Sequence, residues 1–287
     1  MNQRVGIIGG SGLYAMDGLE DVAEVAVSTP FGDPSDKLIT GRLAGVDVVF
    51  LPRHGRGHTL TPSEVPYRAN LWALRSLGVQ WVLSVSAVGS LRDNIVPGHV
   101  VCCDQFIDRT RGRASTFFGG GCVAHVGFGD PVCPVLHGLL VDAARAAGAV
   151  VHTRGTYVCM EGPAFSTRAE SELYRSWGAD VIGMTNVPEC KLAREAEMSY
   201  ATLALSTDYD CWHPGHDAVT VDQVIAVVHA NVRLAQQVIR ELVPRVAAHP
   251  SPSPYADALR GAIMTAPSAI PAETRARLEL LIGRHLG

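Results

Sequence analysis

The sequence predicts an α/β fold, with one domain built on a central β-sheet flanked by helices and followed by a C-terminal helical appendage. Short apolar, β-branched runs alternate along the chain with stretches of helical periodicity, which is typical of helices packed on a sheet. Several of the runs are apolar throughout, as expected for strands covered on both faces. At 287 residues the chain can bury one large core without disulfides or metal.

The predicted strands are short and lie mostly in the first two thirds of the chain. In order they are Val5–Ile8, Val46–Leu51, Trp81–Ser86, His99–Ile107, Gly155–Met160, Val181–Met184 and Ala201–Ser206. Between and after them the periodicity predicts helices over Tyr67–Leu77, Pro134–Ala147, Arg168–Trp177, Pro188–Ala196 and Val221–Val243. The last of these has a continuous apolar stripe at 3.6-residue spacing.

A proline-rich segment divides the chain near its end. The run His249–Pro254 alternates proline with serine and is followed by a weakly amphipathic helical pattern over Ala272–Leu286. Proline cannot continue a helix, so this run predicts a linker. We expect a main domain over residues 1–248 and a linker with a helical tail over residues 249–287.

Composition excludes several classes of protein. Against 28 acidic residues there are 24 basic ones, a net charge of −4, which argues against a nucleic-acid binder. The seven cysteines include no Cys-x-x-Cys pair, so we expect reduced thiols rather than disulfides or a zinc ribbon. Neither a signal-peptide core nor a membrane-spanning apolar run is present in the sequence, which predicts a cytoplasmic protein. A charged fraction of 18% with 47% apolar residues favours an oligomer.

The first glycine cluster, Gly10-Ser11-Gly12-x-x-Ala15, resembles a dinucleotide-binding turn. Such a turn must open a long helix, and Gly18 interrupts one almost at once. No Gly-Lys-Ser/Thr follows, which excludes a nucleotide-triphosphatase loop. Two interpretations stay open: a tight turn, or a turn that presents Ser11 and backbone amides to a single phosphate.

Three other segments have the composition of an anion site. Arg53 and His54 stand on a glycine-punctuated loop after a strand, and guanidinium pairs with phosphate oxygens in a planar fork. His58 follows His54 by four residues, but the glycines between them make a helical metal-binding pair unlikely to form. Ser86-Ala87 and Thr185 follow two further strands. Because ligands of α/β sheets bind beyond the carboxyl ends of strands, we expect these loops to meet.

Two carboxylates close the strand Ala201–Ser206. In an extended chain, residues i and i+2 face the same way, so Asp208 and Asp210 are predicted to lie side by side. Mutual repulsion and burial would then raise a carboxyl pKa and make one of them a general acid. Capping of a turn or helix is the structural alternative, and the nearby His213 and His216 are too few for a metal site.

Together these segments resemble the 5′-methylthioadenosine phosphorylases of the trimeric purine nucleoside phosphorylase group. The motifs that carry the resemblance are Ile7–Leu13, Pro52–His58, Met160–Ser171, Met184–Glu189 and Thr207–Trp212. The likeness runs from about residue 4 to about residue 245. It implies a mixed, twisted sheet and makes residues 1–248 a nucleoside phosphorylase domain.

The resemblance also implies a reaction and a set of roles. The reaction is the reversible conversion of 5′-methylthioadenosine and phosphate to adenine and 5-methylthioribose 1-phosphate, with phosphate as a co-substrate and no metal or organic cofactor. The residues implied to hold phosphate are Ser11, Arg53, His54, Ser86, Ala87 and Thr185. Those implied to contact the nucleoside are Phe165, Ser166, Met184, Asp208, Asp210, Val221 and Val224, with His125 supplied by a neighbouring subunit of a homotrimer.

In these roles Asp208 acts as the acid at purine N7, and Asp210 lies near the 6-amino group. One departure stands out: Gly183 occupies a position where eukaryotic members carry asparagine. Losing that side chain predicts a looser base or sugar site. The alternatives are a 6-oxopurine nucleoside phosphorylase, acting on methylthioinosine or on inosine and guanosine, and a non-catalytic nucleotide-binding protein on the same fold.

Overall fold

The computed structural model describes residues 4–286 except 11, 14 and 214–220, and it leaves out the side chains of 221–230. No helix within this described part is long and apolar enough to cross a bilayer. The described strands are β1 (Arg4–Gly9), β2 (Leu19–Val25), β3 (Leu38–Leu43), β4 (Val46–Pro52), β5 (Val79–Ser90), β6 (Val100–Cys103), β7 (Gln105–Arg109), β8 (Val151–His152), β9 (Thr156–Met160), β10 (Val181–Gly183) and β11 (Ser199–Asp208). The described α-helices are α1 (Tyr67–Ser76), α2 (Pro134–Ala146), α3 (Arg168–Ser176), α4 (Asn186–Glu195), α5 (Val221–Ala248) and α6 (Ala272–Ile282).

All these strands join one mixed sheet, in agreement with the predicted fold class. Its main path runs β2-β3-β4-β1-β5-β10-β9-β7, and β11 joins β5 to β6, which carries β8. Strands β4, β1, β5 and β11 run parallel, whereas β10 is antiparallel to β5. Alternate residues of β1 enter two different apolar clusters, with Ile7 in one and Ile8 in the other. The sheet is therefore covered on both faces, by α2 and α5 on one side and by α1 and α4 on the other.

The structure differs from the predicted elements mainly in its strands. Strand β5 continues to Ser90 instead of ending at Ser86, the strand predicted over His99–Ile107 is divided into β6 and β7, and α5 continues to Ala248 instead of ending at Val243. Strands β2, β3 and β8 were not predicted. Most residues of β2 are exposed, so the sequence has no alternating apolar pattern there that would predict a strand. Strands β3 and β4 are joined by Ala44-Gly45, both at positive φ, which is hairpin-turn geometry with an unusual first residue.

The C-terminal tail packs against the body through apolar residues that join its core, among them Leu278, Leu281 and Ile282, and through polar contacts. Residues 124 and 263 form an isolated β-bridge, and the backbone N–H of His125 donates to the Ala262 carbonyl at 2.9 Å. At the other end, the buried Glu197 accepts hydrogen bonds from the Leu259 backbone and from the Arg284 side chain. The tail therefore holds the segment that carries His125.

Candidate active site

A gap in the pairing of β5 creates the space of the candidate site. On one edge, β5 pairs with β1 as far as Ser84 and with β10 only from Gly89 onward. Between these points, the described strands leave residues 85–88 without a partner on that edge. The carboxyl ends of β1 and β4 open towards this gap, and the antiparallel β10 brings Thr185 back to it. The loops thus meet as predicted, although for β10 the reason is an antiparallel return rather than a shared strand end.

Arg53 lies at this gap but points inward. It is 3% exposed, and its Nε and Nη2 donate to the two carboxylate oxygens of Glu189 at 2.8 and 3.1 Å. Nη2 also donates to Ser84 Oγ, and Nη1 donates to the Val85 carbonyl. Burial opposes the charge, but the Glu189 carboxylate raises the pKa of Arg53 above its ordinary value. Because four of five guanidinium donors are thus used within the protein, Arg53 is first of all part of a buried ion pair.

Three hydroxyl groups form a cluster beside this pair. Ser86 Oγ lies 3.4 Å from Thr185 Oγ1 and 3.3 Å from the phenolic oxygen of Tyr157. All three residues are buried, whereas Ala87 is exposed at the gap. The cluster brings together two predicted phosphate residues and a tyrosine that the sequence did not single out.

His54 has a fixed and uncharged ring. Its Nδ1 lies 2.8 Å from the Leu60 carbonyl, and because a carbonyl only accepts, Nδ1 carries the proton. Burial, together with repulsion from Arg53, lowers the pKa of His54 to about 4. The ring stacks on His58 with centroids 4.3 Å apart. Nε2 is therefore an acceptor near neutral pH.

Asp208 and Asp210 lie close together, but the extended conformation expected for them is absent. Asp208 ends β11, and Asp210 opens a short 3₁₀ helix at a φ of 48°. The turn lets Asp208 Oδ1 accept from the Asp210 backbone N–H at 2.8 Å, and Oδ2 lies 2.7 Å from Thr207 Oγ1. Burial raises the pKa of Asp208, with a smaller contribution from the Asp210 charge. The pair thus combines the capping alternative with a carboxyl whose pKa is raised by burial.

The other nucleoside-site residues are placed as follows. Ser166 Oγ lies 2.9 and 2.8 Å from the Asp210 carboxylate oxygens, which ties the loop before α3 to the end of β11. Phe165 beside it is 47% exposed. Met184 follows β10 next to Gly162. His125 is exposed on the segment held by the tail.

Three predicted residues cannot be placed. Ser11 lies outside the described residues. Val221 and Val224 belong to the first turns of α5, but their side chains lie outside the described part.

The comparisons with known proteins agree with this architecture. The model of the phosphorylase superfamily matches residues 4–244. The chain belongs to this superfamily. It is 60% identical to an S-methyl-5′-thioadenosine phosphorylase of Geobacter sulfurreducens and 59% identical to one of Thermosynechococcus vestitus, in each case over all of both chains.

Solved structures of phosphorylases are also similar to this chain. A methylthioadenosine phosphorylase from an antarctic soil metagenomic library superposes with a TM-score of 0.93 at 52% identity, covering 98% of this chain and 99% of the other. A mutant adenosine/methylthioadenosine phosphorylase of Schistosoma mansoni, in complex with adenine, gives a TM-score of 0.83 at 41% identity over 86% of this chain and 93% of the other.

The site of this phosphorylase includes supporting residues that sequence reasoning missed. Glu189 pairs with Arg53 across 136 positions of sequence. The side chain of Arg113 is also buried. It donates to the Glu161 carboxylate and to the Met184 and Val187 carbonyls. Arg113 thereby holds the loop before Phe165 and the segment after β10 in one arrangement. Glu189 stood within a recognised motif without an assigned role, and Arg113 gave no signal in the sequence.

Proposed function

We propose that this phosphorylase cleaves S-methyl-5′-thioadenosine reversibly with inorganic phosphate, giving adenine and 5-methylthioribose 1-phosphate. The observation that carries the proposal is the position of a protonatable carboxyl, Asp208, on the strand next to an anion-sized cluster of hydroxyl groups. Strand β11 pairs with the other edge of β5 through Leu205↔Ala87 and Asp208↔Gly89, and the Asp208 carboxyl lies against Gly89, the residue at which the gap ends. The choice of nucleoside rests on the full-length relatives that carry this name.

Phosphate would occupy the gap in β5. Ser86, Thr185 and the exposed backbone of Ala87 would donate to it, together with Ser11 and the remaining N–H of Arg53. Hydrogen phosphate also carries one O–H, and the acceptor Nε2 of His54 would receive it. Phosphate would then be the second substrate, and the proposed reaction needs no cofactor.

Bond cleavage would proceed by direct displacement. As the glycosidic bond breaks, positive charge develops on the ribosyl ring and negative charge on the purine. A proton from Asp208 to N7 makes adenine a better leaving group, while the held phosphate stabilises the ring from below and attacks the anomeric carbon. The phosphate oxygen forms the new bond, the pair of electrons leaves with the base, and no side chain becomes covalently attached.

The base is read by hydrogen-bond pattern. Adenine accepts at N7 and donates from its 6-amino group, so a protonated Asp208 can donate to one and accept from the other, with Asp210 beside it. Hypoxanthine accepts at both positions and would leave a buried oxygen facing a lone pair. Val221, Val224, Met184 and Phe165 would surround the sugar and the 5′ group.

We also propose a homotrimer located in the cytoplasm, in which each subunit lends His125 to its neighbour's 5′ pocket. His125 is exposed and held rigidly by the tail, as a residue directed at a partner would be. Sedimentation together with activity tests this part. A fully active monomer at assay concentrations would contradict it.

One experiment tests the proposed function against its alternatives. Release of free base should be measured with methylthioadenosine, methylthioinosine, adenosine and inosine, with and without phosphate. We expect phosphate-dependent cleavage with methylthioadenosine much preferred over methylthioinosine. A preference for the 6-oxopurines would favour the alternative enzyme, and binding without any release of base would favour a non-catalytic protein.

A further inference from the structure

The space beside Gly183 is filled rather than empty. A Cβ atom built on Gly183 would lie 1.9 Å from the phenolic oxygen of Tyr157 and 2.6 Å from its Cζ. The glycine is therefore required by the tyrosine, whose hydroxyl occupies the position that a side chain at 183 would take. The looser site expected from the loss of asparagine is not what this arrangement provides.

Tyr157 reaches the hydroxyl cluster from a neighbouring strand of the sheet. It belongs to β9, pairs with Val181 of β10, and is fully buried. Its ring packs against Phe106, with centroids 5.7 Å apart. From there the side chain passes beneath Gly183 and ends 3.3 Å from Ser86 Oγ. Such a side chain has no freedom to turn elsewhere.

The Tyr157 hydroxyl fixes the position of Ser86 in the hydroxyl cluster. Burial raises the pKa of Tyr157, so the phenol keeps its proton, and hydrogen bonds with the Ser86 side chain and the Thr185 backbone oppose that rise. Ser86 Oγ also lies 3.4 Å from Thr185 Oγ1 and 3.4 Å from the Ala87 carbonyl, to which it can donate. Ser86 Oγ is therefore held at the gap from three sides.

From this geometry we infer that Tyr157 is a positioning residue for phosphate, acting through Ser86, and that Gly183 is its necessary partner. The inference rests on the proposed function, because it assumes that phosphate binds at the Ser86–Thr185 cluster. A fixed position of the Ser86 hydroxyl matters there, since a group that is already ordered binds the anion at lower entropic cost. It also extends the phosphate site to a residue of β9 that touches no substrate.

The first test removes only the hydroxyl. In Tyr157→Phe, we expect the dissociation constant of inorganic phosphate, measured by calorimetry without nucleoside, to rise about five- to tenfold, the effect of one hydrogen bond. The KM for methylthioadenosine should change less than twofold. Tyr174→Phe, which alters another buried tyrosine outside the site, is the matched control and should leave both constants unchanged.

Two double variants separate positioning from packing. If Tyr157 acts through Ser86, then Tyr157→Phe should have no further effect on phosphate affinity in a Ser86→Ala background; additive losses would overturn the inference. Gly183→Ala should weaken phosphate binding in the wild-type background and be tolerated in Tyr157→Leu, which removes the colliding atoms. Tolerance of Gly183→Ala beside an intact Tyr157 would also overturn it.

The outcomes distinguish this inference from the proposed function. If the unaltered protein binds no phosphate, the phosphate site and the inference both fall. If it binds phosphate and Tyr157→Phe binds it equally well, only the inference falls. A rise in the phosphate dissociation constant in Tyr157→Phe, Ser86→Ala and Gly183→Ala that is absent from Tyr174→Phe supports both.

Discussion

Replacement of Arg53 by methionine should destabilise the fold as well as weaken phosphate binding. The Arg53–Glu189 pair is closed, with Nε 2.8 Å from a carboxylate oxygen and side chains 4% and 1% exposed. Removing one partner of such a pair leaves an uncompensated buried charge, which costs about 3–5 kcal/mol. Over 287 residues the unfolding entropy is roughly 0.6 kcal/mol/K, so Tm should fall by about 5–8 °C.

The assay is thermal and urea unfolding of four variants, namely Arg53→Met, Glu189→Gln, the double variant that combines them, and a control. Glu189→Gln in the Arg53→Met background removes the stranded charge while keeping an acceptor for the Tyr200 hydroxyl, so it should recover more than half of the loss. Arg154→Met is the matched control, because Arg154 pairs with Asp104 at 2.6 Å but is 82% exposed, and such pairs contribute about 0–1 kcal/mol. An Arg53→Met protein as stable as the unaltered one, or a double variant whose losses add, would refute the reasoning.

Three further predictions concern single residues. His54 binds a proton at pH 6.5 when unfolded and only near pH 4 when folded, so the unfolding free energy should decrease as pH falls through that interval; His54→Gln should flatten the profile. Asp208→Asn should shrink or invert the ratio of kcat/KM for methylthioadenosine over methylthioinosine. We expect the unaltered enzyme to lose activity as pH rises through the elevated pKa of Asp208, and we expect no such loss in the profile of Asp208→Asn. Glu197→Ala should loosen the tail, because Leu259, Arg284 and His285 lose a shared acceptor while the apolar contacts of the tail with the core remain. Limited proteolysis after residue 249 should become faster, and equal rates would show that the apolar contacts alone hold the tail.

The sequence predicted the apolar strands and the amphipathic helices because burial on both faces or along a stripe leaves a periodic signal. It misplaced the end of β5, because Ala87–Ser90 are small residues that resemble a loop. Pairing with the antiparallel β10 keeps them in the sheet, and that partner is about 90 positions away in the chain.

The candidate site, too, has features that the sequence predicted and features that it did not. Residue types at strand ends indicated an anion site, and the motifs indicated which family to expect. The directions in which the side chains of these residues point could not be predicted from the sequence. Arg53 turns towards Glu189 and Tyr157 fills the space beside Gly183 through contacts that only the folded sheet creates. Such contacts join residues from different strands, so no local pattern encodes them.

Strand β5 hydrogen-bonds to β1, β10 and β11 along its length, which has a dynamic consequence for the site. The parts of β5 that pair on both edges, up to Ser84 and from Gly89 onward, open only when much of the sheet opens, so their amide protons should exchange with solvent only through nearly global opening. Residues 85–88, which border the proposed phosphate position, are anchored at both ends by these parts and along one edge by β11 before any substrate arrives. The conformational entropy of ordering these residues is therefore lost once, on folding, and not again in each catalytic cycle.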